Sequence, residues 1–211
     1  AGLGGSSTSS LTLKAGGNAP QASATEEWDY TSTLAAGAWA SGNDLNTARR
    51  LLAGDGTSTA AIVFGGNPAR DETETHDGSS WTEVADLNTG RHAVVGAGTT
   101  TAALCFGGNP APTSDYNESW NGTSWTELGD LNQARDSGAG GGLQTAAIIF
   151  GGYSTTQRGE TETWNGSTWT EVADLNDTRN YLGGNGTTTS ALAYGGEAPS
   201  KTGNTDSWNG T

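Results

Sequence analysis

Residues 120–135 read WNGTSWTELGDLNQAR, and the chain repeats this passage as HDGSSWTEVADLNTGR over 76–91 and WNGSTWTEVADLNDTR over 164–179. A stretched version runs from Trp28 to Arg49, and a shortened one begins at Trp208. Measured on the Asp-Leu-Asn triplets at Asp44, Asp86, Asp130 and Asp174, the spacing is 42, 44 and 44 residues. Periods of this length belong to propellers and solenoids. The Gly-Gly pairs at 16, 65, 107, 151 and 195 give 49, 42, 44 and 44. The long first interval arises between Trp28 and Trp39, eleven residues apart where Trp120 and Trp125 are five apart.

Each unit divides into four short β candidates, here strands A to D. Strand A follows the Arg and is rich in small residues (RLLAGDG, RHAVVGAG, RDSGAGGG, RNYLGGNG). Strand B is an apolar run that ends in Gly-Gly: TAAIVFGG, TAALCFGG, TAAIIFGG, TSALAYGG. Runs this short, bounded by Thr and Gly, read as buried strands. Strand C ends at Trp28, His76, Trp120, Trp164 or Trp208, and strand D begins at Trp39, Trp81, Trp125 or Trp169. The intervening NGTS, NGST or DGSS supplies the positive φ of a tight hairpin, so C and D are expected to pair antiparallel. A four-residue loop sets Trp120 opposite Trp125, a two-residue turn shifts the register, and the sequence leaves both open. Four strands per unit cannot bury both faces alone, so the expected fold is all-β: a propeller of about five four-stranded antiparallel blades, the last incomplete. Strand A is expected innermost, where its glycines fit strands converging on an axis.

The boundaries follow: a single β-propeller domain over 1–211, with blades at about 1–46, 47–88, 89–132, 133–176 and 177–211. Residue 1 falls where a strand A begins, and Thr211 lies inside the last C–D hairpin. The chain also has no Met, including at residue 1. Together these lead to the expectation of a fragment of a longer array, or of a last blade completed by a strand from a partner; left alone, strand C of that blade is an open edge.

Composition narrows the function classes. With 34 Gly and charged residues at 15%, this is a turn-rich β chain. Nine Lys and Arg against 23 Asp and Glu give a formal charge of −14, which repels phosphates and anionic lipid, so nucleic acid is not an expected partner. No apolar run approaches transmembrane length and no signal-like segment opens the chain, so membrane insertion is not expected either. The single cysteine, Cys105 in TAALCF, cannot form an intrachain disulfide and reads as a buried structural thiol.

At these landmarks the chain resembles the kelch-repeat β-propellers, whose pattern closes strand B with Gly-Gly and strand C with an aromatic, places a Trp in strand D and opens the next repeat with Arg. Gly107, Gly108, Trp120, Trp125 and Arg135 carry the resemblance, with equivalents in the other units. The units are also similar in wording to kelch-like arrays in structural proteins of marine bacteriophages, notably those of cyanobacteria. That likeness implies a virion appendage or secreted adhesin, extracellular or on the virion, with further repeats or other virion proteins as partners.

No catalytic constellation emerges, and a non-enzymatic role with no cofactor and no metal is expected. The two histidines, His76 and His92, lie in different strands, and no Cys/His cluster has metal-ligand spacing. Copper oxidases of the kelch fold need Tyr, Cys and two His converging, a set this chain cannot spare. The Asp box of sialidases is approached by Thr75–Trp81 but one residue short. The eight Trp invite a sugar-stacking reading. Core packing is favoured instead, because each buries roughly 150–250 Å², worth at most about 4–6 kcal/mol. The kelch resemblance implies that Arg49, Arg91, Arg135 and Arg179 hydrogen-bond backbone between blades. A local ion pair to the Asp five residues earlier is the alternative, and a convergent anion site ranks behind both.

Alternating strand direction puts the A–B and C–D loops at one end and the B–C and D–A loops at the other. Among near-identical units the B–C loops differ most: NAPQASAT, NPARDET, NPAPTSDYNE, YSTTQRGE, EAPSKTGN. Variation on a rigid scaffold marks a recognition face. The expected contacts are Asn67, Arg70, Asn109, Tyr116, Tyr153, Arg158, Glu197 and Lys201, with the D–A asparagines Asn46, Asn88, Asn132 and Asn176. The expected ligand is a surface glycan or protein receptor. A purely architectural spacer is the alternative reading, and a glycan-active propeller hydrolase the third.

Overall fold

The computed structural model describes residues 43–110 and 112–211, together with the backbone of three strands among residues 1–42. The chain divides into two compact units, Ala1–Gly42 and Asn43–Thr211. In the first, β1 (Gly4–Thr8), β2 (Leu11–Ala15) and β3 (Thr25–Asp29) form an antiparallel sheet in sequence order. The strand D expected at Trp39 and the loop over 18–24 lie outside the described residues.

The second unit is an all-β propeller of antiparallel blades. Blade I comprises β4 (Ala53–Thr57), β5 (Ala60–Phe64), β6 (Thr73–His76) and β7 (Trp81–Glu83). Blade II comprises β8 (Val95–Thr99), β9 (Ala102–Phe106), β10 (Asn117–Trp120) and β11 (Trp125–Glu127). Blade III comprises β12 (Ala139–Leu143), β13 (Ala146–Phe150), β14 (Thr161–Trp164) and β15 (Trp169–Val172). Blade IV has β16 (Gly183–Thr187), β17 (Ser190–Tyr194) and β18 (Thr205–Trp208). All four sheets pair in sequence order.

Four blades, one of them three-stranded, stand where the repeat count leads one to expect about five. The difference comes from the first repeat: residues 1–42 form a compact unit of their own with a three-stranded sheet, and the four blades lie within Asn43–Thr211.

The small-residue strands are innermost, as β4 adjoins β8, β8 adjoins β12 and β12 adjoins β16. A hydrogen-bond chain ties their leading ends. Ala93 N–H donates to the Leu51 carbonyl at 2.8 Å, Ser137 N–H to Ala93 at 3.0 Å and Tyr181 N–H to Ser137 at 2.9 Å. Each residue of this chain sits at positive φ, between 53° and 57°.

Strand B forms the hydrophobic layers between blades. Phe64, Phe106 and Phe150 are buried, and Trp125 of blade II packs edge-on against Phe64 of blade I with centroids 5.0 Å apart. Trp169 repeats this on Phe106. The C–D register is settled by a four-residue loop: Trp120 pairs with Trp125 and Trp164 with Trp169. Asn121 holds the loop, its Oδ1 accepting from the Thr123 and Ser124 amides at 2.9 Å each.

The Gly-Gly pairs exist because neighbouring backbones come close. Gly108 N–H donates to the Arg135 carbonyl of the next blade at 2.8 Å, and a Cβ on Gly107 would lie 2.7 Å from that same oxygen.

Candidate functional site

The repeated Arg spans a boundary. Its backbone meets the preceding blade, as the Arg91, Arg135 and Arg179 amides donate to the carbonyls of Arg70, Ser114 and Arg158 at 2.9, 3.1 and 2.8 Å. Its side chain is fully buried in its own blade against a strand C carboxylate: Arg49–Glu74 at 2.5 Å, Arg135–Glu162 at 2.6 Å, and likewise Arg91–Glu118 and Arg179–Asp206. Neither the local Asp nor an open anion site is the partner. The carboxylate, second residue of strand C in each blade, neutralises a guanidinium that has left water, as a buried charge requires. At Glu74, burial acts to raise the pKa, but hydrogen bonds from Asn46 and Arg49 and the guanidinium charge bring it below the ordinary glutamate value.

The D–A asparagines complete these clusters. Asn46, Asn88 and Asn132 each donate a backbone N–H to the carboxylate of the following blade at 2.7 Å, on Glu74, Glu118 and Glu162 respectively. Their Nδ2 groups bind the same oxygens, and Asn176 Nδ2 binds Asp206. All four asparagines stay exposed, and Asn88, Asn132 and Asn176 link adjacent blades through these bonds.

The B–C positions fall into a different pattern. Asn67, Asn109, Tyr153 and Glu197 follow Gly-Gly in the four blades and form β-bridges with Arg50, His92, Asp136 and Asn180, the residues just after the repeated Arg. Their amides donate to the partner carbonyls at 2.7 to 2.9 Å. The backbone bridge is constant and all four side-chain pairs differ; Asp136 and Asn180 are buried, and the other six residues are at least partly exposed. Asn109 Nδ2 also reaches Asp136 of the next blade at 3.2 Å.

Next to these pairs, the hydrogen-bonded residues at the leading ends of the inner strands surround a depression of about 240 Å³, lined by Leu51, Leu52, Ala93, Val94, Ser137, Gly138, Tyr181 and Leu182. Tyr181 is 63% exposed and Leu51 43%. The lining holds no carboxylate, histidine or cysteine. Its volume is below the roughly 300–1,000 Å³ of drug-sized sites, and matches a sugar ring or a partner's side chain better.

The other expected residues lie along the same loops. Arg70 binds Glu72 at 2.7 Å, and Arg158 binds Glu160 at 3.0 Å and Ser154 at 2.8 Å. Tyr116 is partly exposed and faces a cavity of about 130 Å³ shared with Asn88, Thr89, Glu118 and Glu127. Lys201 is exposed and bridges to Glu197. Sequence reasoning missed Arg50, His92, Asp136 and Asn180, together with Leu51 and Tyr181. The signal was available: the two positions after the repeated Arg change in every unit (RL, HA, DS, NY).

Charge is placed unevenly. Of the nine Lys and Arg, four are the buried arginines and Lys14 lies in the first unit. The remaining Arg50, Arg70, Arg158 and Lys201 all sit on B–C or D–A loops. Among the described residues no group of three or more His, Cys, Asp or Glu could hold a metal ion, and no helix is long and apolar enough to cross a membrane. No protein-family model matches the chain, and no curated protein is recognisably similar to it.

Proposed function

We propose that this chain is a non-catalytic recognition module of kelch type, part of a phage virion appendage or a secreted adhesin, binding a surface glycan or protein receptor through its B–C and D–A loop face. One observation carries the reading: in all four blades a different side-chain pair sits on the same backbone bridge, six of the eight residues at least partly exposed, beside a depression with exposed Leu51 and Tyr181. Rigid presentation of variable groups is how scaffolds generate recognition. The exposed Arg50 and Lys201 strengthen it with positive charge on an otherwise acidic unit, whereas Arg70 and Arg158 are already paired with Glu72 and Glu160. Asn46, Asn88, Asn132 and Asn176 are exposed on the same loops, while their Nδ2 groups also bind strand C carboxylates.

The test is a glycan array together with binding to whole host cells, with and without Ca²⁺, for the wild type and a Tyr153→Ala/Tyr181→Ala variant. Binding by the wild type and loss in the variant, at unchanged melting temperature, is the expected result. No binding on either platform removes the proposal in favour of an architectural spacer.

A further inference from the structure

The C–D hairpins of blades II and III assemble the parts of an intramolecular reaction. Asn121 and Asn165 are each followed by Gly and sit exposed at a hairpin tip. Asn121 Oδ1 accepts the Thr123 and Ser124 amides at 2.9 Å each, and Asn165 Oδ1 accepts those of Ser167 and Thr168 at 2.9 and 3.0 Å. Two backbone donors aimed at one carbonyl oxygen form an oxyanion hole, ready for negative charge to develop there. The same side chain's Nδ2 donates to a hydroxyl three residues on, Ser124 Oγ at 3.4 Å and Thr168 Oγ1 at 3.3 Å.

The nucleophile is the backbone nitrogen of the following glycine. Among the described residues no acceptor meets the Gly122 or Gly166 amide, and glycine brings no Cβ to obstruct a close approach. Blade I differs at both points, with Asp77 in place of the Asn and the Gly78 amide held by His76 Nδ1 at 3.1 Å. It also shows that an aspartate product fits this loop, because Asp77 Oδ1 accepts the Ser79 and Ser80 amides at 2.8 and 2.9 Å. Asn185 and Gly186 form the same dipeptide in another setting. They lie in β16, paired with β17, and no donor among the described residues meets Asn185 Oδ1.

We infer that Asn121 and Asn165 are sites of self-catalysed deamidation, promoted by the hairpin and not by the dipeptide alone. The Gly122 nitrogen, losing its proton to solvent base, attacks Asn121 Cγ, and the carbonyl electron pair moves onto Oδ1 between the Thr123 and Ser124 amides. As this oxyanion collapses, Nδ2 takes a proton relayed through Ser124 Oγ and leaves as ammonia, closing a cyclic imide. Water then opens the ring. Breaking the bond from Gly122 nitrogen to Cγ gives aspartate, and breaking its bond to the Asn121 main-chain carbonyl carbon gives isoaspartate. The net change is one water consumed, one ammonia released and one negative charge added to the loop. Aspartate leaves Trp120 opposite Trp125, whereas isoaspartate routes the backbone through Cγ and shifts that register.

The test ages the full chain in mildly alkaline buffer, folded and in urea, and follows each asparagine peptide by mass spectrometry. In the folded chain Asn121 and Asn165 should gain one dalton about tenfold or more faster than Asn185. They should also react faster than in urea, where the three sites should converge on one rate. Ser124→Ala should slow Asn121 several-fold and leave Asn165 unchanged. Equal rates at Asn185 and the hairpin sites in the folded chain, faster reaction of those sites in urea, or an unchanged Asn121 rate in Ser124→Ala overturns the inference.

Discussion

Asp55 occupies the strand position filled by Ala97, Gly141 and Asn185 in the other blades, and its Oδ2 is enclosed without a hydrogen-bond partner. Burial pushes its pKa up from 3.8 to about 6. The folded chain therefore holds this proton more tightly than the unfolded one. The stability Asp55 contributes is complete below about pH 4 and is lost as pH rises through about 6. Asp55→Asn should match the wild type near pH 4 and exceed it near pH 8 by about 1 kcal/mol, a figure reduced for the solvent that still reaches the carboxyl. Urea denaturation across that range checks it, and identical pH profiles would count against the burial argument. Cys105 shows the same physics in an inert group: fully buried, its thiol is pushed up to about 11 by desolvation, so it stays protonated and serves as a small apolar side chain.

At the scale of the element, the Gly-Gly that ends each B strand does two jobs that can be separated. Gly107 and Gly195 share φ of 65°, but a Cβ on Gly107 would lie 2.7 Å from the Arg135 carbonyl, while on Gly195 its nearest neighbour is the Thr202 carbonyl at 3.7 Å. Gly195→Ala should thus cost only the left-handed backbone term, about 1–2 kcal/mol. Gly107→Ala should cost that plus the displacement of a neighbouring blade, taking the loss to about 3 kcal/mol or more. Denaturation midpoints of the two variants test this, and equal losses would show that blade spacing is not what the glycine protects. The hairpin between strands C and D works by a different device. There a single Asn accepts two loop amides and leaves the flanking aromatics in register.

Across the whole molecule, burial is uneven among equivalent positions. Phe64, Phe106 and Phe150 are at most 2% exposed, but Tyr194, their counterpart in blade IV, is 48% exposed, and Leu192 is 46% exposed where Ile148 is buried. Local stability follows buried apolar contact, so amide exchange should be slowest in β9 and β13 and clearly faster in β17. Uniform protection across the four B strands would contradict that gradient.

The sequence by itself determined the period, the four strands of each full blade, the Asn-Gly hairpins and the inner place of the small-residue strand. All of these are set by local patterning and turn chemistry, and each recurs in register often enough to be read without coordinates. It also pointed to the B–C loops. Tertiary structure alone decided that four blades pack together where about five were expected. It likewise decided that the repeated Arg is neutralised by a Glu or Asp 25 to 27 residues further on, that Asn88, Asn132 and Asn176 link adjacent blades, and that Arg50, His92, Asp136 and Asn180 stand beside the variable loop residues. The physical reason is the same in each case. These contacts link strands or loops far apart along the chain or in different blades, where neither periodicity nor propensity carries information, and only packing brings the partners within hydrogen-bond reach.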